Sequence, residues 1–172
     1  MFLKGLKEKS NQKFIEKTLA KRQMTSVEGR ITSVGVLLSH SEFANYEAVN
    51  SLLDELNVKS LDRRFFSFID VKAQQENFLD TSFTVKDFGW RGKLKNTALQ
   101  DFTNTQFDVL ICYFLGDDIE LRQIAAMSKA AFKVGISNKD ERLYDLIIDV
   151  SINNFDVFKT ELKKYLTILN KI

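Results

Sequence analysis

Apolar and polar positions along this chain alternate in two rhythms. Short β-branched or aromatic runs at Ile31–Leu38 (ITSVGVLL), Arg64–Ile69 (RFFSFI) and Phe107–Leu115 (FDVLICYFL) have the length and composition of buried strands. Between and after them, apolar residues recur at steps of three and four. Tyr46, Val49, Leu52, Leu53 and Leu56 share one helical face, and so do Phe155, Phe158, Leu162, Tyr165, Leu166 and Leu169. The pattern further predicts a strand over Phe83–Phe88, a short helix over Thr97–Thr105, and strands over Phe132–Ile136 and Tyr144–Val150. Lys72–Ser82 is polar and aperiodic and reads as a loop. Ser39, with Glu42 three residues on, has the form of a capping box opening the helix that runs to Leu56.

Phe107–Ile136 holds a strand, a tight loop, a helix and a second strand in thirty residues, which is a parallel βαβ unit. Its first strand is the most apolar of the chain, as expected of a central strand covered on both faces. Asp117, with Glu120 three residues on, is expected to cap the helix. Ala125, Ala126, Ser128, Ala130 and Ala131 let that segment approach the sheet closely. Val109, Ile111, Leu121, Val134 and Ile147 are the expected core. Strands alternating with helices predict an α/β fold: a three-layer, mostly parallel, Rossmann-like sheet with helices on both faces and a basic N-terminal helical extension. The expected organisation is a helical arm over residues 1–28 followed by a single α/β domain over 29–172.

Composition agrees with one folded body. A chain of 172 residues with 44% hydrophobic residues and 15 Phe can bury about 70% of the surface its unfolded form exposes. Proline is absent, which removes proline-rich linkers. Cys112 is the only cysteine and lies in an apolar run, so it reads as a small buried hydrophobe in a reducing, cytoplasmic setting. No apolar run has the length of a membrane span or the form of a signal peptide.

Charge is distributed unevenly. Residues 1–30 carry eight Lys or Arg against three Glu, so this segment is +5 while the chain is +2 and the remainder is −3. Lys9, Lys13, Lys17 and Lys21, at steps of four, line one face of the predicted N-terminal helix, with Phe14, Ile15 and Leu19 on another. Phe2, Leu3 and Leu6 point away from that second group, so no single apolar stripe runs the length of the arm. The lysine face suits an acidic protein surface, a nucleic acid or an anionic membrane surface; it also reads as a solvated face of a helix docked through Phe14, Ile15 and Leu19. If it serves a partner only, the α/β body is expected to fold without it. Phe88–Lys95 interleaves Phe, Gly and Trp with three cations, and Trp90, Arg91 and Lys93 could stack on a base or grip a phosphate beside the arm.

In open parallel sheets ligands bind beyond the carboxyl ends of the strands. Those positions here hold Ser39, His40, Ser41, Asp70, Gly116, Asp117, Asp118, Ser137 and Asn138. They could form a small polar crevice, or equally be caps and loop residues, since Ser and Asp at helix starts satisfy backbone N–H groups. The Leu115–Asp118 loop has one glycine and two acids where a phosphate cradle clusters glycines, so no nucleotide cofactor is expected. With His40 the only histidine, a His-rich metal centre is excluded. Asp117, Asp118 and Asp70 could hold a divalent cation, or Asp117 and Asp118 could simply complement a helix dipole; no catalytic residue and no metal ligand is assigned.

Two resemblances enter on these residues. FDVLI at Phe107–Ile111 followed by IAAMSKAAFKVGI at Ile124–Ile136 resembles the N-terminal Rossmann-like half of heptosyltransferase-type glycosyltransferases. That likeness implies a fold motif; no residue of a sugar-nucleotide site carries over. Nearly the whole chain is similar to an uncharacterised family of small proteins from Bacteroidetes-type bacteria, through the basic N-terminal helix, the Trp90-Arg91-Gly92-Lys93 turn, FDVLI, SKAAFKVG at Ser128–Gly135 and YDLII at Tyr144–Ile148. This resemblance implies a lineage and no mechanism. The reading that follows is a non-catalytic intracellular binding module acting through its basic arm; the alternative is a small-ligand or nucleotide-phosphate enzyme, a glycosyltransferase-like half-domain, using the crevice.

Overall fold

Among the described residues six strands form one sheet in the order β3-β2-β1-β4-β5-β6, and every neighbouring pair is parallel. The computed structural model describes residues 2–25, 28–70 and 81–172. The strands are β1 (Val34–Ser39), β2 (Arg63–Phe68), β3 (Ser82–Phe83), β4 (Val109–Tyr113), β5 (Phe132–Gly135) and β6 (Leu146–Ile147). The helices are α1 (Phe2–Ala20), α2 (Tyr46–Glu55), α3 (Thr97–Asn104), α4 (Ile119–Met127) and α5 (Phe155–Ile168). The chain works outward from β1 to β3, returns, and works outward again from β4 to β6. The strand order therefore reverses between β1 and β4, the switch point of a doubly wound Rossmann-like sheet.

Side-chain alternation along the central strands divides the interior into two cores. Val34, Val36 and Leu38 of β1 with Val109, Ile111 and Tyr113 of β4 face α2 and α5. Leu37, Leu110 and Cys112 face the other way, toward α1, α3 and α4. Helices on both faces of the sheet make the three layers. Val109, Ile111, Leu121 and Val134 are buried as expected. Ile147 is only half-buried, because β6 is a two-residue edge strand.

Several local expectations change. Helix α2 begins at Tyr46, where the Asn45 side chain accepts from Ala48 N, and not at the Ser39–Glu42 box. The segment before it places Glu42 against the β4 loop instead. Asp118, not Asp117, sits at the start of α4, and it makes no side-chain cap there. The predicted Phe83–Phe88 strand stops at Phe83, because Thr84 and Asp87 close a true capping box around a single 3-10 turn, Val85–Asp87. The predicted Lys72–Ser82 loop lies outside the described residues apart from Thr81 and Ser82, and Ser82 opens β3.

The N-terminal helix packs onto the body. Ile15 and Leu19 are in the same core as α4. Asn11, buried in the contact, donates from Nδ2 to Gly89 O at 3.0 Å and accepts from Gly92 N at 3.1 Å. Arg91 (φ 55°) and Gly92 (φ 77°) turn in the left-handed region. A Cβ on Gly92 would lie 2.3 Å from the Phe14 ring, so glycine is required there by both conformation and space. Just past the helix, Arg22 pairs with Asp145 at 2.6 Å. The inner face of α1 is thus core, which argues that the body draws part of its stability from the helix.

Candidate functional site

The crevice positions do not converge into one pocket. At the switch point Glu42, which the sequence assigned to a helix cap, reaches from the β1 loop to the β4 loop and accepts from Leu115 N at 2.6 Å. Its carboxylate also fills the space over Gly116, where an added Cβ would meet Glu42 Oε1 at 2.5 Å and Asp118 Oδ2 at 2.9 Å. The backbone donor that a doubly wound fold would offer to a ligand anion is therefore occupied by the protein's own carboxylate. Burial pushes the Asp118 carboxyl above its usual range, and the nearby charges of Glu42, Asp70 and Asp117 add to the shift. Glu120 is raised by burial and by Asp118 and Glu8. This edge of the sheet disfavours a phosphate.

The remaining predicted residues divide between neighbouring contacts. Ser39 is buried with its Oγ 3.3 Å from Ser41 Oγ. His40 turns toward β2: its Nδ1 lies 3.2 Å from the Tyr46 hydroxyl, which donates to Ser67 Oγ at 2.9 Å. Asp117 pairs with Lys139 at 2.8 Å. Ser137 is buried, accepting from Lys139 N, and Asn138 is exposed. The space between Gly116, Asp117 and Ser137 is closed to about 10 Å³. A larger depression of about 540 Å³ opens beside Asp70, Asp117 and Asp118, with Phe68 beneath and Lys4 and Lys7 of α1 at its side. Among the described residues no group of three or more His, Cys, Asp or Glu could hold a metal ion.

The basic residues do come together. Lys9, Lys13, Lys17 and Lys21 are all exposed, and among the described residues none of the four pairs with an acid. The acids of α1 are committed elsewhere, Glu16 to Arg142 at 2.7 Å and Glu8 to Lys4 at 3.9 Å. The turn carrying Trp90, Arg91 and Lys93 is fastened alongside: Arg91 N donates to Ser10 Oγ at 3.3 Å, next to the Asn11 bridge. Gln123 of α4 holds the same turn by donating to Gly92 O at 3.1 Å. Trp90, Arg91 and Lys93 remain exposed beside the lysine face. Lys7 belongs to the docking instead, since its Nζ donates to Phe88 O at 3.0 Å.

A model of a family of unknown function, DUF6913, matches residues 7–169. The chain belongs to that family. The match begins within α1 and ends just beyond α5, so the family's extent takes in most of the docked helix as well as the α/β body. No curated protein and no solved structure matches the chain. Among the described residues no helix is long and apolar enough to cross a membrane.

Two features of these surfaces escaped the sequence pattern. Glu42 looks like any acid three residues after a strand end, and only the folded β4 loop gives it a partner. Asn11 is a polar residue on the packed face of α1, and its role depends on two backbone groups about eighty positions away in sequence.

Proposed function

We propose that this protein is a non-catalytic intracellular binding module whose outer α1 face, extended by Trp90, Arg91 and Lys93, engages an anionic partner. The observation that carries this reading is the division of α1 into two faces. Inner residues Asn11, Ile15, Leu19 and the flanking Arg22 are spent on the body, while Lys9, Lys13, Lys17 and Lys21 stand exposed with no acidic partner among the described residues. Four like charges at i,i+4 repel by a few tenths of a kcal/mol per pair, and an anionic surface would turn that repulsion into attraction. Anchoring the helix fixes the face before binding, which lowers the ordering cost on association.

Changing all four lysines to Gln tests this reading without opening the core, which truncation would do. The native protein is expected to be retained on immobilised heparin and released by salt. The variant should elute at markedly lower salt with an unchanged melting temperature, since every altered side chain is exposed. Equal elution of the two proteins would overturn the reading.

The 540 Å³ depression favours a second reading, a small-ligand enzyme at the carboxyl ends of the strands. Its acidic rim, with Glu42 on the Leu115 N–H, argues against nucleotide phosphates. Millimolar ATP, GTP or NAD is accordingly expected to leave the melting temperature unchanged. A rise of several degrees that disappears on Asp117→Asn would put the enzyme reading first.

A further inference from the structure

Resting on the proposed anionic-partner reading, we infer that the partner is a membrane surface rich in anionic lipid, on which the outer face of α1 lies flat. Positions 2, 6, 9, 13 and 17, at steps of four and three, fall on one side of the helix, opposite Ile15. The lysine face is therefore continued toward the N-terminus by apolar residues. Phe2 is 81%, Leu3 70% and Leu6 39% exposed, and Trp90, on the turn clamped to Ser10 and Asn11, is 48% exposed. Three large apolar side chains clustered in the first two turns make a patch that water does not favour, and the turn carrying Trp90 is clamped to the flank of the same helix.

The chemistry of the patch separates the possible partners. A nucleic acid backbone would satisfy the lysines and could stack on Trp90, but it offers nothing to Phe2, Leu3 and Leu6. A lipid surface satisfies both ends. Phe2, Leu3 and Leu6 can enter the boundary between headgroups and acyl chains, lysines draw anionic headgroups, and a tryptophan prefers the interfacial level. The mode of contact follows from the docking. With Ile15 and Leu19 in the core and no described helix able to cross a bilayer, α1 can rest on a membrane but cannot leave the body to span it. Its 19 residues give a contact line about 28 Å long.

The test uses the full chain, vesicles of phosphatidylcholine and phosphatidylglycerol in a two-to-one ratio, vesicles of phosphatidylcholine alone, and heparin as a lipid-free polyanion. Trp90 is the only tryptophan, so intrinsic emission reports on the proposed surface directly. The native protein should float with the mixed vesicles and not with the neutral ones, and its emission should shift to the blue on the mixed vesicles alone. Replacing Phe2, Leu3 and Leu6 together by Ser should weaken vesicle binding about tenfold or more while heparin elution and melting temperature stay as in the native protein. The lysine-to-Gln variant should be weakened on both vesicles and heparin. Heparin retention without flotation, or a Ser variant that floats like the native protein, would overturn the membrane inference and leave the anionic-partner reading in place, pointing to a nucleic acid or an acidic protein. Loss of heparin retention in the native protein would remove both.

Discussion

Arg22→Ala is expected to destabilise the protein by about 3–5 kcal/mol, the cost of breaking a buried ion pair by removing one partner. Asp145 is 2% exposed in its side chain and pairs with Arg22 at 2.6 Å. Its Oδ2 also accepts from Lys133 N at 2.8 Å, while its Oδ1 has no hydrogen-bond partner among the described residues. Without the guanidinium, the Lys133 backbone N–H and the charge of its ammonium would be left to balance a nearly inaccessible carboxylate. Arg22 also donates to Arg142 O at 2.8 Å, closing the chain just beyond α1 onto the segment before β6. Chemical denaturation of Arg22→Ala, Asp145→Asn and the double variant forms a cycle. If the pair is the cause, the double variant should be clearly more stable than the sum of the single losses predicts. A loss below about 1 kcal/mol for Arg22→Ala would mean that Asp145 finds water or another donor, and that the junction is not a principal clamp on α1.

That clamp explains why the layers were legible in the sequence and the role of the N-terminal helix was not. Period-two and period-3.6 patterns report which faces are apolar, so Val36, Val109, Ile111 and the α5 stripe announced a three-layer, mostly parallel sheet. The lysines at steps of four announced an exposed face on α1. The attachment of α1 uses few apolar groups, Ile15 and Leu19 chiefly, supplemented by Asn11, Glu16 and Arg22, each bonded to residues about eighty or more positions away. Polar long-range pairs leave no periodic trace. The same limit applies at the switch point. Ser39, Glu42 and Asp117 have the residue types of helix caps, and local chemistry alone could not say that Asn45 would start α2 and free Glu42 to occupy the β4 loop. The residue that fills the switch point was therefore assigned to the wrong task.

Lys133 supplies the second large effect, a stability that rises with pH in a narrow alkaline window. It lies on β5 with its Nζ buried and donating to Ala125 O at 2.7 Å, at the carboxyl end of α4. Burial, helped by the Arg22 charge, lowers its pKa from 10.5 to about 8, against the opposing influence of Cys112 and Asp145. Between these values the unfolded chain binds a proton that the folded chain does not, so stability increases with pH, by at most about 1.4 kcal/mol per unit. Buried acids act in the opposite sense. Burial raises the Cys112 thiol from 9.0 to about 12 and the Tyr113 hydroxyl from 10.0 to about 12, and it drives Tyr144 strongly upward. Each keeps its proton when folded after the unfolded chain has lost it, which subtracts stability above pH 9 for the thiol and above pH 10 for the phenols. The native protein should gain stability from pH 8 to 9, level off as Cys112 offsets Lys133, and decline above pH 10. Lys133→Met should abolish the rise, whatever it does to the absolute value, and Cys112→Ala should extend the rise to about pH 10. Denaturation midpoints across pH 7 to 11 decide the matter: a native curve that is flat from pH 8 to 9 and unchanged in shape by Lys133→Met would show that the ammonium reaches solvent and that the interior between α4 and β5 is more open than its packing implies.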